Sequence, residues 1–314
     1  RDFARTRSVR VYILGGGSNT LFTDNGWSGL VLRPKLLGKD YTAGVRGNAR
    51  VSVGAGEDWD AFVAGTVAQG FWGLENLSYI PGSVGAAPVQ NIGAYGAMVS
   101  DVIEHVQALD TKTGELHILT PAECRFEYRE SLFKQPHGAH LLITEVTFML
   151  GVSGTPNVSY VEQKQRGGYK DLLRYFPNGT EGVRPRDIRA ALKEIRGSKL
   201  PDVQRVHTAG SFFKNPIVSR TQVNEMKTWL KRDIVSFPAD EHHVKIPAGW
   251  LLEVLGLRGC RRGMVGTWPE HALVVVNYGD ATATEVLDFV HFLQEEVKRK
   301  VDIHLEPEVR IVGE

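Results

Sequence analysis

The chain has little of what would mark it for a membrane, an oxidising compartment or a polyanion. Among 314 residues only Cys124 and Cys260 are cysteines, far apart and in neither dithiol nor metal-ligand spacing. That excludes a disulfide framework and a C-x-x-C redox centre, and it points to a reducing cytoplasm. No run of 18 apolar residues occurs, so no segment reads as a membrane helix. The formal net charge is only +1, with 37 Lys and Arg against 36 Asp and Glu scattered along the chain. Without a basic face or a polybasic arm, neither nucleic acid nor membrane is expected as a partner, whereas a small anionic ligand is compatible. P-loop, H-E-x-x-H and G-x-S-x-G patterns are all missing, which removes three common routes to phosphate, zinc and serine-hydrolase chemistry. The adjacent His242 and His243 point to different sides and have no third ligand at a suitable spacing, so no metal is expected. Internal repeats and low-complexity tracts are absent as well. The start, Arg1-Asp2-Phe3-Ala4-Arg5, is neither a signal peptide nor an initiator Met, and the chain is expected to begin inside a longer product.

What is present is a set of glycine-rich turns. The segment Tyr79 to Gly96 places Gly82, Gly85, Gly93 and Gly96 with Pro81 and Pro88 among small residues. Glycine takes positive φ and presents no Cβ, while proline fixes its neighbours, so successive backbone amides can converge on an anion or a flat ring. Interspersed Ile80, Val84, Val89, Ile92 and Tyr95 argue against a disordered loop. Two strand-like runs also end in such turns: Val9 to Leu14 opens into Gly15-Gly16-Gly17-Ser18-Asn19, and Val51 to Val53 into Gly54-Ala55-Gly56. Together they could cradle one pyrophosphate. The Rossmann fingerprint is not met, because its third glycine falls on Thr20 and Asn25-Gly26 and Ser28-Gly29 follow where a helix is needed.

The length suggests two or three domains. Helical spacing is expected over Trp59–Gln69, ending at Gly70, and strands over Val102–Leu109 and Leu141–Leu150 with a hairpin turn at Thr111–Gly114. The composition turns to Gly, Pro, Asn and charge between Gly151 and Gly182, and a helix led by Pro185 runs from Arg184 to Arg196. Helices Gln222–Leu230, Lys245–Gly256 and Ala283–Lys298 and a strand Ala272–Asn277 complete a small α/β part.

Seven segments carry a specific resemblance: LGGGSN (Leu14 to Asn19), VGAGEDW (Val53 to Trp59), Gly73 to Gly96, ECRFEYRESLFK (Glu123 to Lys134), AGSFFKNP (Ala209 to Pro216), AGWLLE (Ala248 to Glu253) and LEPEVRIVG (Leu305 to Gly313). In this order, over almost the whole chain, they resemble the UDP-N-acetylenolpyruvoylglucosamine reductase family of flavoenzymes. The resemblance implies an α+β fold, the FAD-binding fold of the vanillyl-alcohol-oxidase type, with FAD-binding subdomains at 1–36 and 37–198. A substrate domain at 199–302 and a carboxyl-terminal strand at 303–314 would follow. It implies non-covalent FAD, NADPH as hydride donor, the small molecule UDP-N-acetylglucosamine enolpyruvate as substrate, and a monomer. It also implies a strand and helix ahead of Arg1.

By match to the family's motifs, cofactor contacts fall on Gly15, Gly16, Gly17, Ser18, Asn19, Gly54 and Gly56, and on Pro81, Gly82, Ser83, Gly85, Ala86, Gln90, Asn91, Gly93, Ala94 and Tyr95. Ser211 matches the general acid, Arg129 the active-site arginine and Glu308 the catalytic glutamate. Without that match, Ser211 reads as a turn residue, Arg129 as part of a solvated charged stretch, and Glu308 as an acid paired with Arg310. Substrate contacts are expected from Lys199, Lys214, Asn215 and His271 and from Tyr169, with Tyr160 its rival. A different oxidase on the same fold, or a non-catalytic flavin or nucleotide-sugar binder, are the alternatives. No His or Cys stands in Gly15–Asn19 or Pro81–Gly96 to tether a flavin covalently.

Overall fold

The structure, a computed structural model, describes residues 2–157 and 172–313. Tyr160 and Tyr169 therefore lie outside the described residues. Two compact units are formed, one from residues 1–17 and 28–196, the other from 18–27 and 197–314.

The first unit is organised on a five-stranded antiparallel sheet in the order Lys39–Ala43, Ala49–Gly54, Leu141–Leu150, Ile103–Asp110, Leu116–Leu119. Alternation sets its faces: Ala49, Val51 and Val53 are buried while Arg50, Ser52 and Gly54 are not, as period two requires. The helix Trp59–Ala68 starts where Asp58 accepts a hydrogen bond from the Ala61 amide at 2.8 Å, a side-chain N-cap. It buries Trp59, Phe62, Val63 and Val67. Trp59, Phe62 and Phe148 pack with ring centroids 5.1 to 6.2 Å apart, and the Trp59 indole donates to the Leu77 carbonyl at 2.9 Å. A separate parallel pair joins Arg10–Ile13 to Gly29–Leu32. The helix Pro185–Lys199 buries Ile188, Leu192 and Ile195 against Leu172.

The second unit holds a four-stranded sheet in the order His207–Ser211, His271–Asn277, Val265–Trp268, Arg261–Arg262. Helices Arg220–Leu230, Ala248–Val254 and Ala283–Val301 share one core with it, built on Phe212, Phe213, Leu251, Leu252, Phe289 and Leu293. The expected helix from Lys245 is shorter, because His243–Lys245 is a strand and Pro247 is the N-cap of Ala248–Val254. The sequence pattern also missed the strand Val265–Trp268, whose apolar residues are too few to show a period. Arg310–Val312 pairs in parallel with Thr20–Phe22, which explains why residues 18–27 belong with the carboxyl-terminal part.

Among the described residues no helix is long and apolar enough to cross a membrane. Asp240 takes the amides of His242 and His243 at 2.8 Å and the His243 Nδ1 at 2.9 Å, so the histidine pair belongs to a local turn.

The two thiols differ. Cys124 is fully buried, and that burial, with the nearby Glu123 charge, pushes its thiol up to about 12, while Cys260 is only partly covered. A thiol needs exposure and thiolate character to react. Titration of the native protein with a chromogenic disulfide is expected to report Cys260 first and Cys124 only on unfolding. Equal rates for both would contradict the packing around Cys124.

Candidate functional site

In the first unit, two glycine turns lie on top of one another. A Cβ built on Gly15 would stand 2.7 Å from the Ala86 Cβ, and one on Gly16 would stand 2.8 Å from the Gly82 Cα. Side chains never approach so closely, so bare backbone is what allows the turns to meet. The loop Gly82–Ala87 is held from below by the start of the helix Trp59–Ala68: the Trp59 amide donates to Gly82 O at 3.1 Å, Val84 to Glu57 O and Gly85 to Ala55 O at 2.9 Å.

Gly54 and Gly56 have a different task from the expected one. Their amides donate to Gly38 O at 2.9 Å and Leu36 O at 2.8 Å, and a Cβ at either would overlap the 35–37 backbone. These amides already have acceptors, so the pair shapes the floor of the cradle and offers no donor to a phosphate. By contrast, among the described residues no protein group accepts from the amides of Gly15, Gly16, Gly17, Gly82 or Ser83. Five uncommitted donors on two touching turns fit a pyrophosphate. The Gln90 Nε2 is buried with no hydrogen-bond partner, and such a group asks for an acceptor from a ligand. The residues present thus fit FAD.

The segment Glu127–Ser131 is laced to the far end of this loop. Asn91, fully buried, donates from Nδ2 to Glu127 O at 2.9 Å and accepts from the Ser100 amide at 3.3 Å. Its side chain is therefore a brace, whatever its backbone contacts. The Ser131 hydroxyl donates to Val89 O at 2.7 Å. Arg129 adopts φ +57, and its guanidinium donates to Gly93 O at 2.8 Å and Asn91 O at 3.4 Å. A Cβ on Gly93 would stand 3.3 Å from the Arg129 Nη1. Ala94 and Tyr95 follow, with Tyr95 at φ +50.

The second unit sets the chain at Glu308 beside the residue that follows Ser211. Ser211 ends the strand His207–Ser211, whose register slips at Gly210, φ +83, before Ser211 pairs with Val274. Phe213 and Pro307 form a bridge, the Glu308 amide donates to Phe212 O at 2.7 Å and Lys214 to Glu306 O at 2.9 Å. Asn19 ties in from the same unit: its Nδ2 donates to Glu308 O and its own carbonyl accepts from Arg310, both at 3.1 Å. Ser18 O lies 3.8 Å from a Cβ on Gly210.

Lys214, Asn215 and His271 each have a protein partner. The Lys214 ammonium pairs with Glu306 at 2.5 Å, and Asn215 Oδ1 caps the helix Ala248–Val254 through the Ala248 amide at 2.9 Å. His271 Nδ1 accepts from the Leu273 amide at 3.3 Å. Lys199 is the last residue of the helix Pro185–Lys199.

Sequence reasoning missed Asp60. It accepts two hydrogen bonds from Arg189, at 2.6 and 2.8 Å, and one from the Tyr79 amide at 2.5 Å. Burial alone would raise its carboxyl, but these bonds and the charges of Arg189 and Lys193 outweigh it and hold it below the usual aspartate value. No local signal links residues so far apart.

Gly16→Ala tests the close approach. Gly16 has no positive φ, so the added methyl acts only through overlap with Gly82. Overpacking of about 1–3 kcal/mol is expected to weaken FAD binding roughly ten- to a hundredfold, read by flavin fluorescence titration. Unchanged affinity would detach the two turns from the cofactor.

Comparison with known proteins supports an FAD-binding domain in the first part of the chain. A family model described as UDP-N-acetylenolpyruvoylglucosamine reductase, C-terminal domain, matches residues 202–312, and one described as FAD binding domain matches residues 2–120. The UDP-N-acetylenolpyruvoylglucosamine reductase of Pseudomonas fluorescens is 40% identical over 98% of this chain and 87% of its own length. The proteins of that name from Bdellovibrio bacteriovorus and Chromobacterium violaceum are each 42% identical over 94% and 98% of this chain, and 84% and 87% of their own lengths. In fold, the chain matches the crystal structure of the enzyme of that name from Thermus caldophilus with a TM-score of 0.65 at 24% identity, over 99% of this chain and 89% of that one. A TM-score of 0.50 at 17% identity, over 97% and 78%, relates it to 6-hydroxy-D-nicotine oxidase of Arthrobacter nicotinovorans. The α+β fold is the FAD-binding fold expected from the sequence, and the chain belongs to the UDP-N-acetylenolpyruvoylglucosamine reductase family.

Proposed function

We propose that this protein reduces UDP-N-acetylglucosamine enolpyruvate to UDP-N-acetylmuramate, a precursor of peptidoglycan, using non-covalent FAD and NADPH. The observation that carries the reading is the main-chain contact that sets Glu308 against Phe212, the residue after Ser211. That contact supports a reading in which a proton donor and a carboxylate from distant parts of the sequence act on one ligand. When bound, FAD relays a hydride, so nicotinamide and enol ether can use one site in turn.

The side chains then have defined tasks. Arg129 grips the substrate carboxylate through a charge-assisted fork and stabilises the enolate that develops on it. Ser211 gives a proton to the carbon that bears this carboxylate. A hydroxyl is a weak acid, so it needs directional transfer and nearby donors for the alkoxide it leaves. Glu308 polarises the donor network around the enolate. Lys199, Lys214, Asn215, His271 and Tyr169 hold the nucleotide sugar, with Lys199 meeting the diphosphate as a point charge. Subdomains at 1–36 and 37–198 carry FAD, 199–302 the substrate, and 303–314 returns Glu308 to the site. The protein acts as a cytoplasmic monomer.

Ser211→Ala is expected to leave flavin reduction by NADPH nearly intact and to slow reoxidation by the enol ether by about 10²–10⁴-fold. Stopped-flow traces of the two half-reactions decide it, and equal slowing of both would assign Ser211 to flavin placement. Glu308→Gln and Arg129→Ala should each depress the substrate half-reaction, and Arg129→Ala should also weaken substrate binding. If calorimetry finds substrate bound by Arg129→Ala as tightly as by the wild type, the carboxylate grip is wrong.

A further inference from the structure

The glycine-rich segment begins on one strained residue and has another next to its end. Tyr79 has φ +61 and Tyr95 φ +50, a left-handed conformation that non-glycine residues hold only when their surroundings impose it. At Tyr79 both backbone polar groups are held by ionised side chains. The amide donates to Asp60 Oδ1 at 2.5 Å, and the carbonyl accepts from Arg196 Nε at 3.0 Å. Arg196 also interacts with the Tyr95 side chain, and burial pushes its guanidinium down. Arg189, Lys193 and Arg196 recur at spacings of four and three on the helix Pro185–Lys199, so they share one face. That face meets Asp60, Tyr79 and Tyr95.

We propose that Asp60, bridged to Arg189 and completed by Arg196, is a positioning clasp for the FAD cradle. It holds Tyr79 in its left-handed conformation and so fixes the approach of Ile80, Pro81 and Gly82 to the Gly15–Gly17 turn. Asp60 lies in the first turn of the helix Trp59–Ala68, and the same end of that helix carries the Trp59 amide bonded to Gly82 O. One helix end thus holds the loop at Tyr79 and at Gly82. A neutral side chain at 60 would keep at most part of this, because the bidentate Arg189 contact needs both carboxylate oxygens. Asp60 acts through Tyr79 and touches no reacting atom in this scheme. The inference rests on the assignment of Gly15–Gly17 and Gly82–Ser83 to the cofactor.

The test is flavin titration of apo-protein, followed by fluorescence, together with thermal unfolding of the same apo-proteins. Asp60→Ala is expected to raise the FAD dissociation constant about tenfold or more, with Asp60→Asn between it and the wild type because one acceptor for Tyr79 survives. Val67→Ala, on the same helix and buried in the core, serves as the control that lowers stability without touching the clasp. Its FAD affinity should stay within about twofold of the wild type at a temperature where all variants are folded. Should Asp60→Ala fail to fold, Asp60→Asn and Arg189→Gln carry the comparison. The clasp is overturned if the Asp60 variants bind FAD like the wild type, or if Val67→Ala loses as much affinity as they do. Loss of affinity in Gly16→Ala with none at Asp60 would sink the clasp alone. No loss in either would sink the cradle assignment beneath it.

Discussion

Everything in the first unit's site depends on how closely two stretches of bare backbone can approach. The turn at Gly15–Gly17 and the loop at Gly82–Ala86 touch at distances where a single methyl would collide, and both carry amides that no described protein group accepts from. Close approach of this kind has a cost, since glycine-rich chain loses more conformational freedom on ordering than any other. The surrounding structure offsets it with directed bonds. The loop is hydrogen-bonded to Ala55, Glu57 and Trp59 along one side and to Glu127 and Ser131 through Asn91 and Val89 at its far end.

This explains why residues of very different chemistry surround the cradle. Gly54 and Gly56 let the 35–38 segment close over the sheet edge, Asn91 fills its hydrogen-bonding capacity with neighbouring backbone, and Arg129 holds Gly93 O while its own backbone takes a left-handed turn. Charges supply the stiffest contacts, because a charged partner strengthens a hydrogen bond and buried ones are weakly screened. Asp60 with Arg189 and Arg196 follows that logic.

The second unit solves a different problem. The strand end at Ser211 and the returning segment at Glu308 are joined mainly through the backbone, where Phe212 accepts from the Glu308 amide and the Lys214 amide donates to Glu306, with the Lys214–Glu306 ion pair beside them. Asn19 secures the returning strand from its other side. The slip in register at Gly210 changes which way the following residues face, as a bulge does in any antiparallel pair.

The elements with a strong period were legible in the sequence. Leu141–Leu150 is a strand over the expected bounds, and the helices expected from Trp59 and Ala283 begin at those residues. The glycine turns and the family itself were also visible, because glycine and a fixed motif order are local properties of the chain. What local sequence could not decide was which donors were already engaged. Gly15 and Gly54 look alike in sequence, yet Gly54 gives its amide to Gly38 and among the described residues Gly15 gives its amide to no protein group. The alliance of Asp60 with Arg189, and of Glu308 with Phe212, is likewise set by packing. Propensity and motif are written in neighbouring residues, whereas hydrogen-bond partners across a fold are chosen only when distant backbones come within about 3 Å of each other.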